Sequence, residues 1–374
     1  MADSKALKDI YDRAAVRFLA ARMSRVRPAF PADRFVREVV ADLPALELKG
    51  RALRIAQGLR AHLPDDYAKA LALVLRAAGA ADGTGGIGGM SGFRFLPLLN
   101  FVGQYGLDDP DRSLEALGRL TLHFSAEFDV RPFLLRHPDL TLKRLHAWAR
   151  DADWRVRRLA SEGSRPLLPW GLRVPALIAD PSKTMAILDR LHADPSEVVR
   201  RSVANHLNDV ARSHPDLAVA TARNWWNGTK RRVEARGTVR HALRTLVKQG
   251  HPDALELLGF AGGTAVELAA FDLGTPRVRY GGHLEFAARL RVTAKMPVRL
   301  SIDYAVCHRR ADGSLRAKIF KLAVREAGPG ETVEFAKRHA IRPITTRRYY
   351  PGTQAVELRV NGRALARAEF ELEM

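Results

Sequence analysis

In the run "RRLASEGSRPLLPW" (157–170), Arg158, Glu162 and Arg165 stand at spacings of four and three, so a helix projects all three from one face. Pro166 ends that helix, and Trp170 follows it. A second stretch repeats the pattern with Arg201, Asn205 and Asp209, and a third sets Arg240, Arg244 and Lys248 at the same spacing. Rows of Arg and Lys suit phosphate, because every phosphate they neutralise releases counterions. Carboxylates on such a wall repel that same backbone. Glu162 and Asp209 are therefore either salt-bridged buffers for the neighbouring arginines, the usual state of charges on helices, or groups that do chemistry. Trp170 has two readings as well: a packing residue, or an aromatic face at the mouth of a basic groove that stacks on a base or holds a cation.

The elements that must position these residues are helices. From the start to about Phe260 apolar residues recur at three and four, as in "YAKALALVLRAAG" (67–79) and "RHALRTLVKQG" (240–250). Gly79, "RHPDL" (136–140), "SHPDL" (213–217) and "QGHPD" (249–253) punctuate them. "DADWRVRRLASEG" and "DPSEVVRRSVANH" align so that Val156-Arg157-Arg158 and Val199-Arg200-Arg201 lie 43 residues apart, with Val239-Arg240 another 40 on. Paired helices at such a period predict a HEAT-like solenoid whose second helices line a concave surface. With Val156, Leu159, Ala160 and Gly163 packed inward, Glu162 faces that surface among arginines. Trp148, Trp154, Trp225 and Trp226 fall inside helical periods and read as core or inter-repeat contacts. The glycine run "GTGGIGGMSG" (83–92) lacks a Gly-Lys-Ser/Thr ending and a preceding strand, so it reads as a loop and not as a phosphate cradle.

After about Gly263 the periodicity changes to short alternating runs such as "HLEFAARLRV", "VRLSIDYAVCHR" and "AKIFKLAVREA", with Asn361-Gly362 as a strong hairpin marker. Around seven short strands are expected. The fold class is accordingly mainly α: a HEAT-like helical-repeat solenoid over 1–263, then a smaller all-β immunoglobulin-like sandwich over 264–374. From Ala265 onward 20 Lys/Arg face 12 Asp/Glu, a net +8, so both portions are basic.

Over the whole chain, 61 Lys/Arg against 41 Asp/Glu give +20, which favours a polyanionic partner, nucleic acid first. A merely arginine-rich proteome would give the same balance. Cys307 is the only cysteine, which excludes an intrachain disulfide and a cysteine-based zinc site and fits a reducing cytosol. The first residues carry charges throughout and no stretch reaches the length of a membrane span, so neither export nor a membrane is expected. The 12 histidines are scattered, His206 and His241 reading as inter-helix or DNA-facing residues, and nucleotide-cofactor motifs are missing; no metal and no cofactor is expected.

At "AEFDVRPFLLRHPDLTL" (126–142), "DWRVRRLASEGSRPLLPW" (153–170), "DPSEVVRRSVANHLNDVARSHPDL" (194–217) and "VRHALRTLVKQGHPDALELLGF" (239–260) the sequence resembles the AlkC-type DNA alkylation-repair glycosylases of the HEAT-like-repeat DNA glycosylase superfamily. Some members of that family carry an immunoglobulin-like tail. The resemblance implies excision of cationic N-methylated bases, 3-methyladenine above all and 3-methylcytosine as a further candidate, from double-stranded DNA in base excision repair. It places Glu162 and Glu127 in the lesion site with Asp209 and Trp170 near them, and implies that the lesion is read while still largely in the duplex. Arg158, Arg165, Arg201, Asn205, Arg240, Arg244 and Lys248 are the expected DNA-binding residues.

The implied chemistry fits these residue types. A cationic base departs neutral, so no general acid is required; what remains is an oxocarbenium-like sugar and a water to trap it, and carboxylates serve both. No lysine nucleophile is needed, so a monofunctional enzyme that leaves an abasic site is expected. It is expected to act as a monomer in the cytoplasm, at the nucleoid. Two other classes compete: a non-catalytic HEAT-repeat binder of structured DNA or RNA, with the carboxylates only salt-bridged, and a protein-interaction scaffold.

Overall fold

The structure is a computed structural model that describes residues 6–80, 91–228, 232–260, 265–344 and 347–374. Residues 83–90 of the glycine run lie outside the described residues. The chain forms two compact units, Met1–Ser213 with Trp225–Ala242, and His214–Asn224 with Leu243–Met374.

In the first unit, helix Pro138–Trp148 precedes Trp154–Gly163, and Ser182–Leu191 precedes Glu197–Val210. Leading helices pack on each other across the repeat, and the second helices form their own row, Trp154–Gly163 on Glu197–Val210 on Arg232–Ala242. This two-layer stacking is the HEAT-like solenoid that the 43-residue repeat predicts. Asp153 caps the helix Trp154–Gly163 by accepting from the Arg155 amide at 2.8 Å. Val156, Leu159, Ala160 and Gly163 are all buried, and a Cβ at Gly163 would meet Val130 Cγ1 at 2.7 Å, so glycine permits the close approach of the 125–130 segment.

The repeated Val-Arg-Arg has a structural reason. The first arginine of each pair staples a loop: Arg157 donates to both oxygens of Asp194 at 2.6 and 3.0 Å, and Arg200 to the Asp194 and Pro195 carbonyls at 2.6 and 2.9 Å. The second arginines differ: Arg158 turns into the cavity beside Glu127, and Arg201 is exposed. The row expected of Arg240, Arg244 and Lys248 is not realised, because helix Arg232–Ala242 stops and a new helix, Arg244–Gln249, begins. Val239 and Ala242 serve the core of the first unit, whereas Leu243, Leu246 and Val247 are buried in the second.

The second unit holds an immunoglobulin-like β-sandwich. Strands β1 (Val266–Leu273), β3 (His283–Val292) and β6 (Thr332–Ala340) form one sheet in the order β1-β3-β6. The other has the order β2-β8-β7-β4-β5, from β2 (Arg277–Arg279), β4 (Val298–Arg309), β5 (Leu315–Ala327), β7 (Gly352–Val360) and β8 (Arg363–Glu373). The hairpin marker behaves as expected: Asn361 (φ 47°) and Gly362 (φ 77°) take the left-handed conformations of a two-residue turn joining β7 to β8. Residues such as Leu284, Phe286, Tyr304, Val306 and Phe370 fill the space between the sheets. The three-residue β2, parallel to β8, is too short to show an alternating pattern.

Among the described residues no helix is long and apolar enough to cross a membrane.

Candidate active site

Three carboxylates and two guanidiniums alternate through the middle of the first unit. Glu127 Oε2 accepts from Arg158 Nη1 at 2.7 Å; Arg158 Nη2 lies 3.9 Å from Glu162; Glu162 Oε1 accepts from Arg165 Nη1 at 2.7 Å; and Arg165 Nε donates to Asp209 Oδ2 at 2.9 Å. The sequence places Arg158 and Glu162 side by side on one helix, yet that contact is the longest of the series. The short ones bridge separate elements, because the helix only aims the side chains and the 125–129 and 164–170 segments supply the partners. Ser125 fixes the far end by donating to Glu127 at 2.8 Å and accepting from Arg158 at 2.7 Å.

Burial gives this series its electrostatic character. Glu162 is 6% and Arg165 7% exposed. Burial alone would raise the Glu162 carboxyl, but Arg158 and Arg165, with hydrogen bonds from Ser202 and Arg165, hold it below the usual carboxylate range. Burial would likewise lower Arg165, and Glu162 and Asp209 outweigh it, raising the guanidinium. Each carboxylate of the series is thus held by a guanidinium in a place of low dielectric, and Lys49 adds a further cation to the lining of the cavity in front. Asp209 lies behind Arg165 and does not line the cavity; its Oδ2 also takes the Leu167 amide at 3.3 Å.

The cavity in front has a volume of about 380 Å³ and is lined by Lys49, Phe124, Glu127, Phe128, Glu162 and Trp170 among others. Trp170 is 73% exposed at its rim, in the left-handed conformation with φ 63°. A non-glycine residue there is strained and must be held by its surroundings. Two residues that sequence reasoning missed do this. Arg131, fully buried, donates Nη1 to the carbonyls of Gly163 and Arg165 at 2.8 and 2.9 Å and Nε to that of Leu172, spanning the whole loop from within. Its guanidinium is pushed down to about 10 by burial and by Arg173 and Arg165. Lys49 donates to the Trp170 carbonyl, and its Nζ sits 4.2 Å from the Phe128 ring centre. Burial lowers the Lys49 ammonium, against the pull of Asp129 and Glu127. Nothing in their local spacing marks either residue, since their partners are the carbonyls of a distant loop.

The other expected site residues are placed as follows. Arg158 and Arg165 are ion-paired and largely enclosed, and both line the cavity. Arg201 is exposed beside Glu197 at 3.6 Å, and Asn205 Oδ1 meets His241 Nε2 at 3.1 Å. Arg240 lies over the Trp226 ring at 5.4 Å, with Arg236 at 4.9 Å. Arg244 and Lys248 belong to the second unit. His206 is no DNA-facing residue: fully buried, its Nδ1 meets the Ser161 carbonyl at 3.0 Å and burial pushes it down to about 4. Trp148 and Trp225 are buried, as expected of packing residues.

Fold and site together define a class: a HEAT-like-repeat protein with a carboxylate-lined cavity and an immunoglobulin-like tail. Residues 267–374 match the family model described as "Uncharacterised protein YhaZ, C-terminal Ig-like domain". The chain is 35% identical to the uncharacterized protein YhaZ of Bacillus subtilis (strain 168), over 98% of this chain and 99% of that one. Its structure matches Pseudomonas fluorescens alkylpurine DNA glycosylase AlkC, solved bound to DNA containing an abasic site analog, with a TM-score of 0.91 and 38% identity over 99% of this chain and 100% of the other. The chain belongs to the AlkC-type family of HEAT-like-repeat DNA glycosylases.

Proposed function

We propose that this protein is a monofunctional DNA glycosylase that hydrolyses the N-glycosidic bond of cationic N-methylated bases, 3-methyladenine first and 3-methylcytosine second, in duplex DNA. The observation that carries the reading is the buried carboxylate series behind an exposed tryptophan, in a chain similar throughout to an alkylpurine DNA glycosylase.

The bond from C1′ to the base nitrogen breaks with its electron pair passing to the base, which leaves neutral. The positive charge moves to the sugar. Glu162, held ionised by two guanidiniums, stabilises that oxocarbenium electrostatically, and because Arg158 and Arg165 are already in place the cost of reorganising charge is low. Glu127, at the more open end beside Ser125, orients the water that attacks C1′ and accepts its proton. Asp209 acts through Arg165 as a positioning residue. Trp170 offers its face to the cationic base, which favours a charged lesion over a neutral one.

Residues 1–263 are assigned catalysis and the first hold on DNA, with Arg201 and Arg240 as the exposed cations on the second helices; the basic sandwich, 264–374, is assigned a second hold. The test is single-turnover incubation of the full chain with dimethyl-sulfate-treated duplex. Free 3-methyladenine without strand scission is expected. Salt-dependent binding with no base release would replace the enzyme by a binding module.

A further inference from the structure

A cavity of about 560 Å³ in the second unit is lined by cations that, unlike those of the first, have no carboxylate between them. Its lining includes Arg309 and Arg310 at the end of β4, Arg316 and Lys318 of β5, and Arg347 and Arg348 before β7. No carboxylate lines it, and among the described residues only Arg310 of these six has one within ion-pair distance, Asp312 at 3.7 Å.

The strands explain how it forms. Residues 304, 306 and 308 of β4 share one face, opposite 320, 318 and 316 of β5. Tyr304 stacks on Phe320 at 5.2 Å and Val306 is core, but beyond them the same row continues as His308, Lys318 and Arg316. The interior face of the sandwich therefore ends in cations where apolar residues would continue it.

His308 carries the second observation. It is 6% exposed, lines the cavity, and its Nε2 has no hydrogen-bond partner among the described residues. Gln354 fixes its tautomer: the amide Nε2 donates to the Tyr350 carbonyl at 3.1 Å, which turns Oε1 toward His308 Nδ1 at 3.0 Å, so Nδ1 holds the ring proton. Burial and then Arg347, with His339 and Lys318, push His308 down to about 4 against the hydrogen bond to Gln354, so at neutral pH Nε2 carries a buried lone pair with no donor among the described residues. A ligand made for this cavity is anionic and also brings a hydrogen. A phosphate monoester does both, since its second proton is held near neutrality, whereas a backbone phosphodiester has none to give.

We propose that the cavity bounded by His308, Arg316, Lys318, Arg347 and Arg348 binds a phosphate monoester group, His308 Nε2 sharing the monoester's proton while the arginines take its oxygens. The monoester belongs either to a free mononucleotide or to a phosphorylated nucleic-acid end. This site is independent of the glycosylase reading.

Inorganic phosphate and sulfate have the same shape, and only phosphate carries a proton at neutral pH, so their binding to the full chain is compared by calorimetry with the His308 ring followed by NMR. Phosphate should bind at least about tenfold tighter than sulfate and shift the His308 resonances. Arg316→Met, at an exposed position, should weaken phosphate by about the same factor without unfolding the chain. Equal affinity for the two ions, or no phosphate-dependent shift at His308, overturns the proposal. Competition then separates the sources: displacement by adenosine 5′-monophosphate alone identifies a free nucleotide, and displacement by a 5′-phosphorylated trinucleotide identifies a nucleic-acid end. Equal displacement by the 5′-hydroxyl trinucleotide, which contains only diesters, contradicts it.

Discussion

Two arginine-lined cavities in this chain differ in whether their arginines are paired with carboxylates. In the helical unit Arg158 and Arg165 are enclosed and matched by three carboxylates; in the sandwich Arg316, Arg347 and Arg348 have none within ion-pair distance among the described residues. The difference shows what an arginine-rich composition leaves open. A guanidinium that ends between carboxylates has spent its charge on fixing them, and the carboxylates it holds are set in place to meet a cation. A guanidinium without such a partner leaves a positive field, and its site is complementary to an anion. Burial with a partner, and not the count of arginines, decides which.

The sharpest way to break this comparison is to remove one arginine from each cavity. Arg165→Met leaves Glu162 and Asp209 buried without their shared cation and should cost roughly 3–5 kcal/mol in urea unfolding. Arg348→Met should change stability by less than about 0.5 kcal/mol. Similar losses at both positions would mean that the two cavities do not differ in the way described. Trp170→Ala tests the rim of the first cavity: single-turnover release of cationic bases should fall about tenfold, as the loss of a cation–π contact implies, with stability nearly unchanged because the side chain is exposed.

The first unit also contains a buried carboxylate with no ion pair among the described residues. Asp129 is buried, accepts from Asn100 at 2.8 Å, and has no partner for its Oδ2 among the described residues. Burial pushes it up to about 7, against Asn100 and Lys49. A carboxyl raised in the folded state holds a proton that the unfolded chain releases, so stability falls as pH rises from about 4 and levels off above about 7. Asp129→Asn should remove that slope, reducing the stability lost between pH 5 and pH 8 by roughly 2 kcal/mol. An unchanged slope would assign it to other groups.

Part of this arrangement is legible in the sequence. The register of helix Trp154–Gly163 follows from Val156, Leu159, Ala160 and Gly163, and with it the direction of Arg158 and Glu162. The hairpin at Asn361-Gly362 follows from local turn chemistry. Partner choice does not, because it depends on which loops meet the helix. Glu127 is reached only through the family resemblance, and the partners of Arg131 and Lys49 are backbone carbonyls of the loop 163–172, remote in sequence. Periodicity also carries the helical pattern straight through Leu243. The structure breaks it there because the apolar residues on either side enter different cores.

The most direct test of the account concerns the carboxylate at the centre of the series. Glu162→Gln preserves shape and removes the charge. Single-turnover release of 3-methyladenine from methylated duplex, at enzyme concentrations that saturate DNA binding for both proteins, should fall by roughly 10²–10³. Release by the variant at the native rate, with binding intact, would contradict the assignment of Glu162 to the developing sugar cation.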